Sequence, residues 1–328
     1  ITTVEESKRF YPLFGLLSQT GIYLAGQFLE NLSHINEYVA AKFSLQASFH
    51  TLSVQIILTI VLILGIIGIK TFWLLNHKVL DKEHMALLRF KAKKKNMTIA
   101  ESFQMILSSR HIRLIAALLI CYGIAINLVE GPWKAAATKI YKTPTEYAAF
   151  IGNYLSYTGA FTILFVVLGS NIVRKLGWFT AAIITPIIVF TTGILFFAVN
   201  NFESSACLIV ASFILTDPAL IAITMGAIQN VLSKSSKYTL FDSTKEMAYV
   251  PLDKEIKIKG KAAADVLGTK LGKSGSAFLQ SLVFIILPSA NYQSISVCLM
   301  FIFIITCLIW FWAVKELNKE YKKSVKFS

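Results

Sequence analysis

The 328 residues are 55% apolar and 15% charged, with a mean hydropathy of +0.63 and a formal net charge of +14. That leaves too few polar side chains to cover a water-facing globule, so a soluble fold is excluded and the solvent for most of the surface is the hydrocarbon of a bilayer. The positive charge would suit nucleic acid only if it were gathered in one patch, and it is spread along the chain instead.

A hydrocarbon core about 30 Å thick takes about 20 residues of helix. Eight stretches of that kind follow one another. The chain opens at Ile1 on the polar segment ITTVEESKR, with no signal-type leader, and reads as a piece of a longer protein. Span one covers about 10 to 29, with Ser18, Gln19 and Thr20 at its middle, and span two covers 51 to 75. A long charged interruption follows, HKVLDKEHMALLRFKAKKKNMTIAESFQ, from His77 to Gln104. It separates two spans from six. Residues 1–76 are therefore expected to be the last two helices of an N-terminal six-helix half, 77–110 a basic cytoplasmic connector, and 111–328 a C-terminal six-helix half. This is the layout of major-facilitator-type transporters, in which two repeats rock about a central site. The expected fold is an all-α membrane protein, a major-facilitator-like bundle with eight of twelve transmembrane helices present and four more upstream.

Span three, 112 to 133, ends in INLVEGPWK. Asn127, Glu130 and Lys134 are spaced i−3, i and i+4 and share one helix face. Gly131 and Pro132 follow the carboxylate and are expected to break the helix, as a gated binding site would require. The plainer reading is a Glu130–Lys134 pair at a helix end. Spans four and five cover 147 to 169 and 177 to 199. Before span four, TPTEY places Thr143, Pro144 and Glu146 as N-cap, first-turn proline and capping-box residues.

Span six, 206 to 232, holds Asp217 in ILTDPALIA. It is either a proton-coupling site or the cap of a helical segment restarting at Pro218. After a patterned inner loop, span seven, 262 to 287, contains Lys270 and Lys273, the latter about eleven residues from the cytoplasmic end and so near mid-membrane. An ammonium there awaits an anion such as phosphate or pairs with a carboxylate such as Glu130. GTKLGKS, from Gly268 to Ser274, resembles a phosphate loop but has three residues where four are required and lies inside an apolar span. Gly268 and Gly272 form a GxxxG packing face instead. Span eight covers 292 to 314.

With eight spans, Lys and Arg collect on one side of the membrane. Only Lys42, Lys134, Lys139 and Lys142 fall on the other, and Lys70, Lys270 and Lys273 lie within spans. By the positive-inside rule both ends of the chain are cytoplasmic. Cys121, Cys207, Cys298 and Cys307 sit in apolar spans as small packing residues, and the five histidines show no ligand spacing. Neither a metal site nor a nucleophile–base set is expected, so an enzyme is disfavoured.

ITTVEESKRFYPLFG, INLVEGPWK, SKYTLFDSTKEMAYVPLD and KGKAAADVLGTKLGKSG are long and specific motifs. On them the chain resembles, over essentially its whole length, the ATP/ADP translocase family of chlamydiae, rickettsiae and plastids. The resemblance implies a twelve-helix carrier in the bacterial inner membrane that exchanges ATP for ADP, with these nucleotides as substrates, no cofactor and no nucleic-acid partner. It also implies that Glu130 and Lys273 match the family's functional charges. Lys273, helped by Lys270 and Lys134, would neutralise phosphates, while Glu130 and Asn127 serve gating or the ribose and base. Asp217 and the Gly131-Pro132 pair depart from the family pattern and point to the alternative, a proton-coupled importer of other nucleotides.

Overall fold

The computed structural model describes residues 4–44, 48–79, 98–201 and 217–326. Most of the expected connector, the first part of span six and Cys207 lie outside the described residues. Among the described residues every regular element is helical. The helices are α1 (Val4–Glu30), α2 (Leu32–Phe43), α3 (Phe49–Leu74), α4 (Ile99–Ser108), α5 (Arg110–Ile140), α6 (Pro144–Gly169), α7 (Asn171–Asn201), α8 (Pro218–Ser236), α9 (Asp242–Tyr249), α10 (Lys254–Ala263), α11 (Thr269–Ile286) and α12 (Ser296–Lys326).

Among the described residues five helical segments are long and apolar enough to cross a bilayer: His50–Lys78, Arg110–Ile140, Pro144–Gly169, Asn171–Asn201 and Ser296–Ser324. They correspond to spans two, three, four, five and eight. The chain is thus a multi-pass, all-α membrane protein. Spans one, six and seven correspond to α1, α8 and α11. These are less apolar for a reason visible in the packing. They turn polar side chains inward: Gln19 of α1, Gln229, Asn230 and Ser233 of α8, and Ser276 and Gln280 of α11 are all buried.

Local chemistry sets the helix ends. Thr143 and Glu146 form the reciprocal cap expected of TPTEY, each side chain accepting from the other's backbone N–H at 3.2 Å. Thr98 and Glu101 repeat the device at the start of α4, a short helix at the end of the basic connector that hydropathy alone does not reveal. The helical run from Pro144 to Asn201 is kinked within α7 at Gly177, whose φ of 78° suits a residue without a side chain.

α5 is the central post. It packs on α8, α11 and α12, while α6 packs on α1 and α8. Trp133 of α5 is fully buried between Phe150 and Tyr154 of α6, and its indole N–H donates to the Ile223 carbonyl of α8 at 2.9 Å. Trp178 of α7 does the same for the Thr244 carbonyl of α9 at 2.8 Å. Cys121 and Cys307 are buried packing residues, as expected, whereas Cys298 is exposed.

The segment between spans six and seven is a correction to the reading of it as a loop. α8 runs through a π-helical turn (Lys237–Phe241) into α9, and α10 runs through another (Ala264–Gly268) into α11. Only residues 250–253 join the two rods. Leu240, Phe241, Ala248 and Tyr249 are buried, so burial of one apolar stripe carries these helices past the membrane-length stretch.

Candidate functional site

α5 presents Asn127, Glu130 and Lys134 to one cavity of about 310 Å³, closed from the other side by Gln280 and Ser281 of α11 and by Phe284 and Tyr292. The expected helix break at Gly131-Pro132 does not occur, since α5 is helical from Arg110 to Ile140. A membrane helix tolerates proline where neighbouring helices enclose it, and Pro132 is buried here. Gly131 gives clearance: a Cβ on it would stand 2.6 Å from Oε1 of Gln280.

Glu130 is shared by two cations from different helices. Its Oε1 lies 2.9 Å from Nζ of Lys134 on α5 and 3.6 Å from Nζ of Lys234 on α8. The Lys134 side chain is 49% exposed, whereas that of Lys234 is 24% exposed. The nearer pair is therefore the more screened, and the field on the carboxylate owes at least as much to Lys234. Lys234 also lies over the buried Tyr154 ring, 5.2 Å from its centroid. Gln280 ties α11 to the same place, its amide donating to the Asn127 carbonyl at 3.3 Å and to Ser276 at 3.1 Å. The Asn127 amide is turned back to the Gly123 carbonyl at 2.7 Å.

The other expected residues stand apart from this cluster. Lys270 and Lys273 are exposed on α11, and neither forms an ion pair with Glu130 or another carboxylate among the described residues. Gly268 and Gly272 lie against α5, as the packing reading of GTKLGKS expected. Asp217 is the N-cap of α8: its carboxylate accepts from the Ala219 N–H at 2.9 Å, with Pro218 in the first turn. It lines a separate cavity of about 680 Å³ together with Lys139.

Sequence reasoning missed Lys234, Tyr154 and Gln280. Lys234 was counted with the inner-loop charges because the apolar run ends just before it. The signal lay in the buried polar face of α8, where Gln229, Asn230 and Ser233 lead directly to it.

A second charged cluster joins α9 to the π turn before α11. Lys245 Nζ is 3.1 Å from Oδ1 of Asp265, and the Tyr249 hydroxyl donates to the same oxygen at 3.3 Å. Burial alone would lower the Lys245 pKa, but the carboxylates of Asp265, Asp242 and Glu246, Asp265 foremost, together outweigh it and hold the ammonium above its ordinary range. Burial, and then Asp265, raise Tyr249 above the ordinary phenol range. Among the described residues no group of His, Cys, Asp and Glu is placed to hold a metal ion.

A family model described as TLC ATP/ADP transporter matches residues 1–321. The chain is 98% identical over 328 residues to ADP,ATP carrier protein 4 of Rickettsia bellii (strain RML369-C), covering 100% of this chain and 63% of that protein. It is 85% identical over 328 residues to ADP,ATP carrier protein 4 of Rickettsia prowazekii (strain Madrid E), with 100% and 64% covered. It is 42% identical over 339 residues to ADP,ATP carrier protein 3 of Rickettsia bellii, with 99% and 66% covered. The chain thus spans a little under two thirds of the length of these relatives. No solved structure matches it.

Proposed function

The chain belongs to the TLC ATP/ADP transporter family, and from that premise we propose that it is the larger part of a carrier exchanging ATP for ADP by alternating access across a bacterial inner membrane. In this reading residues 1–76 close an N-terminal half, 77–110 connect, and 111–328 form the C-terminal half, with both ends of the chain cytoplasmic. The observation that carries it is the sharing of Glu130 between Lys134 and Lys234 beside a cavity. A carboxylate holding two cations from two helices keeps them paired while the carrier is empty. An entering polyphosphate competes for both, and frees the two helices to move relative to each other. Lys270 and Lys273, exposed on α11 outside this cavity and without a carboxylate partner among the described residues, would draw phosphate toward that helix, and Asn127 with Gln280 would orient the sugar.

Exchange of ATP carrying four negative charges for ADP carrying three moves one charge. That is about 2.3 kcal/mol per 100 mV, so gradient and potential together set the direction. The test is uptake of labelled ATP into proteoliposomes holding the full-length gene product, loaded with ADP or left empty, at two external pH values. Uptake that needs internal ADP supports exchange. Uptake into empty vesicles that follows the pH gradient overturns it in favour of proton-coupled import.

A further inference from the structure

The carrier reading leaves open where the base of a nucleotide would sit, and a second cavity bears on that. The Tyr154 ring that lies under Lys234 also lines a space of about 790 Å³ between α1, α6 and α8. Tyr141, Phe150 and Tyr157 contribute further ring walls, with Tyr141 and Phe150 stacked at 4.7 Å. The polar side chains Glu30, Glu146, Asn153 and Thr224 also line it, and of the two carboxylates Glu146 is engaged by the Thr143 N–H at the start of α6.

Glu30 stands where α1 crosses α6 with almost no side chain between the backbones, at Gly26 and Gly152. Its carboxylate accepts from the Gln27 amide at 3.1 Å and from the Asn153 amide at 3.4 Å, and no cation pairs with it among the described residues. A carboxylate has about four acceptor positions, so two remain for a donor in the cavity. The surroundings are unequal in charge: Lys234 lies over the Tyr154 ring that forms part of the aromatic wall, and Glu30 is an acceptor-only carboxylate on the lining contributed by α1.

We propose that this cavity is the nucleobase subsite, in which the ring stacks on the aromatic wall and Glu30 accepts from an exocyclic amine while the phosphates lie toward Lys234. The inference rests on the carrier reading. It extends that reading to substrate choice: a base with an amine is favoured over one with a carbonyl at the same place, because a carbonyl facing Glu30 leaves two acceptors opposed. The anionic phosphates are repelled by Glu30 and drawn to the lysines, so one orientation is selected.

The experiment competes labelled ATP uptake, in ADP-loaded proteoliposomes of the full-length gene product, with unlabelled ATP, with ITP, which replaces the adenine amine by a carbonyl, and with tripolyphosphate. The unaltered protein is expected to favour ATP over ITP roughly tenfold. Glu30→Gln, whose amide can turn a donor to the carbonyl, is expected to bring the ratio to within about twofold and to leave tripolyphosphate competition unchanged. Tyr157→Leu removes a ring that is 57% exposed and is expected to weaken ATP and ITP alike, again sparing tripolyphosphate. An unchanged ATP-to-ITP ratio in Glu30→Gln, or a parallel loss for tripolyphosphate in either variant, overturns the base subsite alone. Absence of ATP uptake by the unaltered protein overturns the carrier reading and the subsite with it.

Discussion

Gly123 of α5 and Gly272 of α11 meet backbone to backbone: a Cβ on Gly123 would stand 2.9 Å from the Cα of Gly272. Asn127 and Glu130 follow on α5, and Ser276 and Gln280 on α11, one and two turns beyond the crossing. Gly123→Val is therefore expected to splay the helices, cost about 1–3 kcal/mol, and break the Gln280–Asn127 bond. Thermal unfolding in detergent should show a lowered midpoint, with uptake reduced even at temperatures where the protein stays folded. An unchanged midpoint would mean that the two helices separate freely.

Lys234 is the residue on which the proposed exchange mechanism is most exposed to refutation. Lys234→Met keeps most of the stem and removes the charge, leaving Glu130 with the half-exposed Lys134. The apparent affinity for ATP is expected to fall at least about tenfold, equivalent to about 1.4 kcal/mol, and Lys234→Arg should recover part of it. Equal affinities for the Met variant and the unaltered protein would remove Lys234 from the substrate path.

Asp217 separates the two transport modes. Asparagine caps a helix as well as aspartate does, while alanine costs about 1 kcal/mol. Asp217→Asn should thus leave stability and the pH profile of uptake intact, and Asp217→Ala should lower the unfolding midpoint only. A pH dependence of uptake that vanishes in Asp217→Asn would identify Asp217 as a proton carrier.

The Lys245–Tyr249–Asp265 cluster predicts an alkaline limit to stability. Both pKa values are raised in the folded protein. Their contribution is therefore complete below the ordinary lysine and tyrosine values and is lost as pH rises through the folded ones. Unfolding midpoints measured from pH 8 upward should fall more steeply for the unaltered protein than for a Lys245→Gln, Tyr249→Phe double variant, which starts lower. Parallel curves would show that other groups set the limit.

Gly177 provides a control remote from the site. At φ 78° an alanine is strained by about 1–2 kcal/mol, although no atom lies near the added carbon. Gly177→Ala should lower the unfolding midpoint and leave the ATP-to-ITP preference unaltered, as scored by the same competition assay.

The most apolar helices were legible from residue order because lipid imposes one demand on them, and TPTEY was legible because a cap is a local contract among four residues. Lys234 was not, since hydropathy treats a lysine at the end of an apolar run as the start of a loop. Its inward direction follows from the helix phase of Gln229, Asn230 and Ser233, which only a buried polar face explains. The Gly131-Pro132 pair misled for a related reason: in isolation it breaks a helix, and inside a bundle the neighbours hold it. The meeting of Glu130 with Lys234 joins residues more than a hundred positions apart, and no local pattern encodes it.

The π turns at Lys237–Phe241 and Ala264–Gly268 have a geometric consequence. Each accommodates one residue more than an α-helical turn. Smoothing either into regular helix would rotate everything beyond it by about 100° relative to what precedes it. The hairpin thus behaves as two geared shafts with a slipped tooth each. The phase between Lys234 above one π turn and Lys245 below it is set by that extra residue rather than by the number of turns between them.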